Sequence, residues 1–200
     1  MTLWPKLLNR LERHAWGVRA GWNRWHFLFF EKPRHTAVEL GKRVTFNVPV
    51  RGGQGILRVG DDTVFGFGGA NRLGSGGIML QTRVPEAEIT IGQGNTFSNN
   101  TVLCAVKSIR IGDNCRIGDD VVMYDADFHE LNPATRDRSA GVVKPVVIGN
   151  NVWIGSRAMV LRGALIGDNA VIGAMSLVTK DIPPNCVAAG IPAEVTRTID

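Results

Sequence analysis

Histidine, cysteine and long apolar runs are scarce in this 200-residue chain, and each shortage removes a class of function. Of four histidines, His14, His26 and His35 fall in the first 35 residues, leaving His129 alone in the remainder. A three-histidine zinc site in the body is therefore excluded. Cys104, Cys115 and Cys186 are odd in number and form no Cys-x-x-Cys pair, which suits a reduced, cytoplasmic protein. No Gly-x-Ser-x-Gly elbow offers a serine nucleophile. The apolar run Phe27 to Phe30 is far too short to span a bilayer. Leu3 to Leu11 is broken by Lys6, Asn9 and Arg10, so no secretory leader is expected. Net charge is also missing from most of the chain. Residues 1–35 carry seven basic and two acidic side chains, which accounts for the whole formal charge of +5. The balanced remainder argues against a nucleic-acid groove.

What is present is a period of six. Ile148, Ile154, Val160, Ile166, Ile172 and Val178 recur at that interval, most of them followed by glycine (Gly149, Gly155, Gly167, Gly173). Four residues after each stands Val152, Ala158, Ala164, Ala170, Ser176 or Ile182. Six suits neither an amphipathic helix nor one long strand. It suits a coil of very short strands, with the aliphatic residue inward and a small one beside it. Looser hexads begin near Leu40, continue through Phe46 and Val59, blur in the glycine-rich stretch 66–77, and resume at Ile91, Phe97, Ile111 and Ile117. One long interruption, 124–147, carries His129. After Asp181 the chain is turn-rich and is expected to leave the coil.

Two parts are expected: a basic, aromatic segment over 1–35, partly helical, and a repeat domain over 36–200. In the first, Trp4, Leu7, Leu8, Leu11 and Ala15 share a helical face, and Trp16, Trp22, Trp25 and Phe27 to Phe30 follow. Such a segment either lies on an anionic membrane at its cytoplasmic face or packs on the body or a neighbouring subunit with its aromatics buried.

The strings Val147-Ile-Gly-Asn-Asn-Val-Trp-Ile-Gly-Ser156, Ile166-Gly-Asp-Asn-Ala-Val-Ile-Gly173, Val178-Thr-Lys-Asp-Ile-Pro-Pro-Asn185 and Ala189-Gly-Ile-Pro-Ala193 resemble the hexapeptide-repeat acyltransferases. In pattern they are similar to the galactoside and maltose O-acetyltransferases and to those of capsule and O-antigen synthesis. The resemblance covers about residues 40–197. It implies an all-β fold, a left-handed parallel β-helix of triangular section with a protruding loop, working as a homotrimer. It also implies acetyl-CoA as donor, a carbohydrate acceptor and no metal.

Moving an acetyl group from a thioester to a hydroxyl needs a base near neutral pH, the role for which imidazole is suited as a side chain, and His129 is the candidate. Asp125, Asp127 or a backbone carbonyl is expected to orient the ring, Asp127 first because the second residue back in an extended segment shares its side. The oxyanion needs a donor, for which Asn99 and Asn100 are candidates; Asn100 is assigned to catalysis and Asn99 to the substrate. The resemblance gives Ser156 and Ala174 to the pantetheine, Thr179 and Lys180 to the nucleotide end, and Arg197 to the phosphates. Outward Trp153 and loop residue Arg136 are candidates for substrate contact. Two other readings stand beside this one: N-acetylation of an amino-sugar nucleotide, and a non-catalytic assembly β-helix.

Overall fold

In the computed structural model, which describes residues 17–68, 70 and 75–199, the hexads wind into a left-handed parallel β-helix. Three sheets form its faces. The first contains Ala37–Leu40, Ile56–Val59, Glu88–Ile91, Ser108–Ile111, Val146–Ile148 and Leu165–Ile166. The second contains Thr45–Phe46, Val64–Phe65, Thr96–Phe97, Arg116–Ile117, Trp153–Ile154 and Val171–Ile172. The third contains Val50–Gly52, Ile78–Thr82, Val102–Ala105, Val122–Tyr124, Met159–Val160 and Leu177–Val178. The chain visits the three faces in turn, six times, and every neighbouring pair among these strands is parallel.

The repeat explains the geometry. Ile148, Ile154, Val160, Ile166, Ile172 and Val178 are all buried, as are Val152, Ala158, Ala164, Ala170, Ser176 and Ile182. The second set is mostly small, with Val152 and Ile182 the larger members, because three strands converge on one narrow axis. The glycine that follows four of these six aliphatic residues has a steric cause. A Cβ on Gly149 would lie 2.3 Å from Asp168 Oδ1 and 2.8 Å from the Asp168 nitrogen in the coil above. Asn and Asp recur at corners with positive φ, as at Asn114, Asn151 and Asn169, where their short polar side chains tolerate the left-handed region. Corner side chains also satisfy the turn below: Asp113 accepts from Gln93 N–H, Asn150 from Asp113 N–H, and Asp168 from Asn150 N–H.

Two excursions leave the prism. The stretch 66–77 departs between the second and third faces, and the described part of it forms no strand. The stretch 125–145 departs between the third and first faces. At the C-terminal end the coil runs further than expected. Ile182 bridges Ile166, and Cys186–Gly190 adds a parallel strand beside Val171–Ile172 before Ala193–Thr198 turns back antiparallel.

At the other end, residues 17–26 form an α-helix, Phe27–Glu31 a π-turn and Lys32–Arg34 a 3-10 turn. This segment packs on the first coil. Phe27 is buried and begins a column of rings, Phe27, Phe46, Phe65 and Phe97, with successive centroids 5.1, 5.5 and 5.2 Å apart. Asn23 donates to the Phe46 carbonyl, Arg24 to the Val44 carbonyl, and Gly52 N–H donates to Glu31. Among the described aromatics of this segment, Phe27 is buried on the body, whereas Trp22, Trp25, Phe29 and Phe30 are exposed on this chain and lie ring against ring. The helical face built from Trp4, Leu7, Leu8, Leu11 and Ala15 lies outside the described residues. No described helix is long and apolar enough to cross a membrane.

Candidate active site

The prism has two edges of interest on either side of its third face. The loop edge, between the third and first faces, carries 125–145. The serine edge, between the second and third, stacks Ser98 to Asn100, Gly118 to Asp120, Gly155 to Arg157 and Gly173 to Met175. Backbone bonds run up this edge, from Asp120 N–H to the Asn99 carbonyl, from Arg157 to Asp119, and from Met175 to Ser156.

The loop is ordered by its own contacts. Asp125 is fully buried and accepts from Val106 and Lys107 N–H at 2.7 Å each, which nails the loop base to the coil below. Burial pushes its carboxyl above the usual range, and the backbone N–H donors pull it partly back. Ala126 pairs with Val143 in antiparallel fashion, and Lys144 N–H returns to the Asp125 carbonyl. Phe128 sits at φ +64°, wedged edge-on against Tyr124 and under the Arg83 guanidinium, 5.4 Å from its ring centroid. That kink turns the next residue, His129, outward, and its side chain is 62% exposed.

The carboxylate that His129 meets is Asp137, 3.3 Å from Nδ1. This corrects the assignment of Asp127 as orienting partner. The positive φ of Phe128 breaks the extended run that would place residues 127 and 129 on one side. Asp127 instead pairs with Arg162 at 2.5 Å, and its second oxygen is buried without a partner among the described residues. Asp125 is excluded as orienting partner by its backbone bonds. Arg136 is exposed and bonds within the loop, donating to the Leu131 carbonyl.

Asn99 is likewise corrected. It is fully buried, accepts from Phe67 N–H and donates to the Phe67 and Ala70 carbonyls, so it clamps the 66–77 excursion and has no free face for a substrate. Asn100, at φ +60°, lines a cavity of about 380 Å³ with Arg51, Ser75, Gly77, Ile78, Met79 and Val102. Higher on the same edge, Ser156 and Ala174 line a second recess of about 260 Å³ with Asp119, Asp120, Arg157 and Met175. One oxygen of Asp119 is buried there without a partner among the described residues. Arg157 pairs with Asp120 at 3.6 Å, which leaves the Asp119 carboxylate as the acceptor group of a recess suited to a neutral chain carrying N–H donors.

The structure brings Asn100, Ser156 and Ala174 onto one edge. Thr179 and Lys180 follow Leu177–Val178 and lie on the loop edge instead. Trp153, 58% exposed, stands on the second face, and Arg197 is exposed on the strand that closes that sheet. Asp137 and Gly141 were missed by sequence reasoning. Gly141 has φ +67°, and a Cβ there would meet the His129 carbonyl oxygen at 2.2 Å; a lone glycine in a loop was the only available signal.

The bacterial transferase hexapeptide family (six repeats) matches residues 145–180, and the hexapeptide repeat of succinyl-transferase matches 108–123. The galactoside O-acetyltransferase of Escherichia coli K12 is 42% identical over 115 residues, 57% of this chain and 56% of the relative. The chain spans about half the length of the curated relatives it matches. Among solved structures, a hexapeptide-repeat acetyltransferase of Vibrio cholerae with acetyl coenzyme A superposes with TM-score 0.56 at 21% identity, over 94% of this chain and 90% of that one. AntD, an N-acyltransferase of Bacillus cereus with dTDP and 3-hydroxybutyryl-CoA, gives 0.61 at 17% identity, over 84% and 86%. At those identities the superpositions speak for the fold; the repeat matches and the sequence relatives speak for kinship. Over residues 108–123 and 145–180 this chain thus matches the hexapeptide repeats of bacterial transferases, and over about half its length it is similar to the galactoside O-acetyltransferases.

Proposed function

We propose that the chain is an acetyl-CoA-dependent O-acetyltransferase acting on a sugar or cell-surface glycan precursor. The observation that carries this reading is the pinned loop that presents His129 to solvent with Asp137 on Nδ1. With Nδ1–H donated to Asp137, Nε2 keeps its lone pair and takes the proton as the acceptor hydroxyl attacks the thioester carbonyl. The Asn100 amide donates to the oxyanion. Collapse of the tetrahedral intermediate breaks the C–S bond, and the imidazolium returns its proton to the departing thiolate. Ser156 and Ala174 receive the pantetheine in their recess, and Thr179, Lys180 and Arg197 supply contacts for the nucleotide end. Trp153 and Arg136 complete the substrate contacts.

The halves of this site lie on different edges. His129 projects from the loop edge, while Asn100, Ser156 and Ala174 line the serine edge. In a homotrimer the loop edge of one copy faces the serine edge of the next, so each site is shared. Thiol release from acetyl-CoA with a panel of saccharides tests the activity, and His129→Ala should abolish release while leaving acetyl-CoA binding intact. Mixing His129→Ala and Asn100→Ala chains during refolding should restore about one quarter of wild-type release, the random share of sites with both residues present in a ring of three. No recovery overturns the shared site. AntD favours a second reading, an amine acceptor on a nucleotide sugar; including amino-sugar nucleotides in the panel decides between them. A non-catalytic assembly protein would show no thermal shift with acetyl-CoA.

A further inference from the structure

Below the histidine loop, on the same edge, lies a cavity of about 540 Å³ that the mechanism does not use. Arg34, Gly52, Gly53, Gln54, Gln81, Thr82 and Arg83 line it, so it holds two guanidinium groups, two side-chain amides and no carboxylate. Its floor is fixed: Gln54 N–H donates to the Thr82 carbonyl and Gly55 N–H to the Thr82 hydroxyl at 2.6 Å. Glu31 is buried, accepts from Gly52 N–H and pairs with Arg34 at 3.6 Å. Asp125 is occupied by Val106 and Lys107. Arg83 forms no ion pair among the described residues, so its charge is the uncompensated one at the cavity.

Arg83 also connects the cavity to the chemistry, because its guanidinium covers the ring of Phe128, the residue before His129. We propose that this cavity is the acceptor subsite and that it selects a saccharide bearing a carboxylate. Arginine matches a carboxylate with paired N–H donors in one plane, and the Gln54 amide, both donor and acceptor, together with the N–H donors of Gln81, whose oxygen accepts from the Cys104 thiol, suits the flanking hydroxyls. The inference rests on the transferase reading, since it names that reaction's acceptor.

The test uses the full-length protein with coenzyme A bound and two probes, p-nitrophenyl β-D-glucuronide and p-nitrophenyl β-D-glucoside, which differ in the carboxylate. Binding is read by saturation-transfer NMR titration. The glucuronide should bind at least about tenfold more tightly, the scale of one charged hydrogen bond, and Arg83→Gln and Arg34→Gln should each remove that preference. Arg34 does not touch the loop, so its variant separates anion recognition from displacement of His129. Equal affinity for the two probes, absence of glucuronide binding, or an unchanged preference in both variants overturns the proposal. A thermal shift with acetyl-CoA, run on the same samples, reports separately on the transferase reading and falls with it alone.

Discussion

Replacing Gly141 by alanine isolates the role of loop geometry, because the residue has no side chain to contribute to the chemistry. Its φ of +67° is open to glycine and costs an L-residue about 1–2 kcal/mol. The larger effect is steric. The added methyl would sit 2.2 Å from the His129 carbonyl oxygen, 3.0 Å from its carbonyl carbon and 3.2 Å from Asp127 Cβ. Relief to ordinary contact at 3.4 Å moves the two arms of the loop apart by about 1.2 Å, a displacement that costs roughly a hundredfold where it falls on a reacting group. The coils are untouched, since Asp125 still anchors the loop base. The expected result is therefore kcat for thiol release lower by about two orders of magnitude, with unchanged acetyl-CoA affinity and a melting temperature within a few degrees of wild type. A variant within threefold of wild-type kcat would refute the argument that the imidazole is held by this close approach.

Three further outcomes follow from the coil and its ends. Ala164→Leu forces a large side chain into the narrow axis and should destabilise by about 1–3 kcal/mol in chemical denaturation. Burial lowers the pKa of His35 below its ordinary value of 6.5, against the opposing effects of the Gly55 carbonyl and Glu31. Its neutral form therefore contributes stability that is full above 6.5 and is lost as pH falls through that value toward the lowered one. His35→Gln should flatten the decline in melting temperature between neutral pH and pH 5. We expect exposed Trp22 and Phe29, with the basic residues around them, to hold the protein on anionic vesicles. The double variant Trp22→Ser, Phe29→Ser should lose co-sedimentation, and equal sedimentation with neutral vesicles would count against this contact.

The coil was legible because its cause is periodic. An aliphatic residue every sixth position, with a small one four later, has one compact solution, and both sets are buried. His129 was legible because the interruption of that period isolates it. Its partner was not. Asp137 reaches it across an irregular loop, where no spacing rule applies, while Asp127, nearer in sequence, is turned away by the kink at Phe128. Asn99 read as a site residue because an amide on an edge looks the same in sequence whether it meets a ligand or a neighbouring loop. Its bonds to Phe67 and Ala70 depend on where 66–77 folds back, which no hexad encodes.

The way the helical segment grips the first coil bears on more than local packing. A stack of parallel strands ends in a row of unsatisfied peptide groups that invites the end of another molecule. Asn23, Arg24 and Glu31 occupy several of those groups at the starting end, and Phe27 closes the ring column beneath them. Trimming that lid would leave a blunt cylinder able to join others head to tail, so a shortened version should grow into filaments before its winding melts.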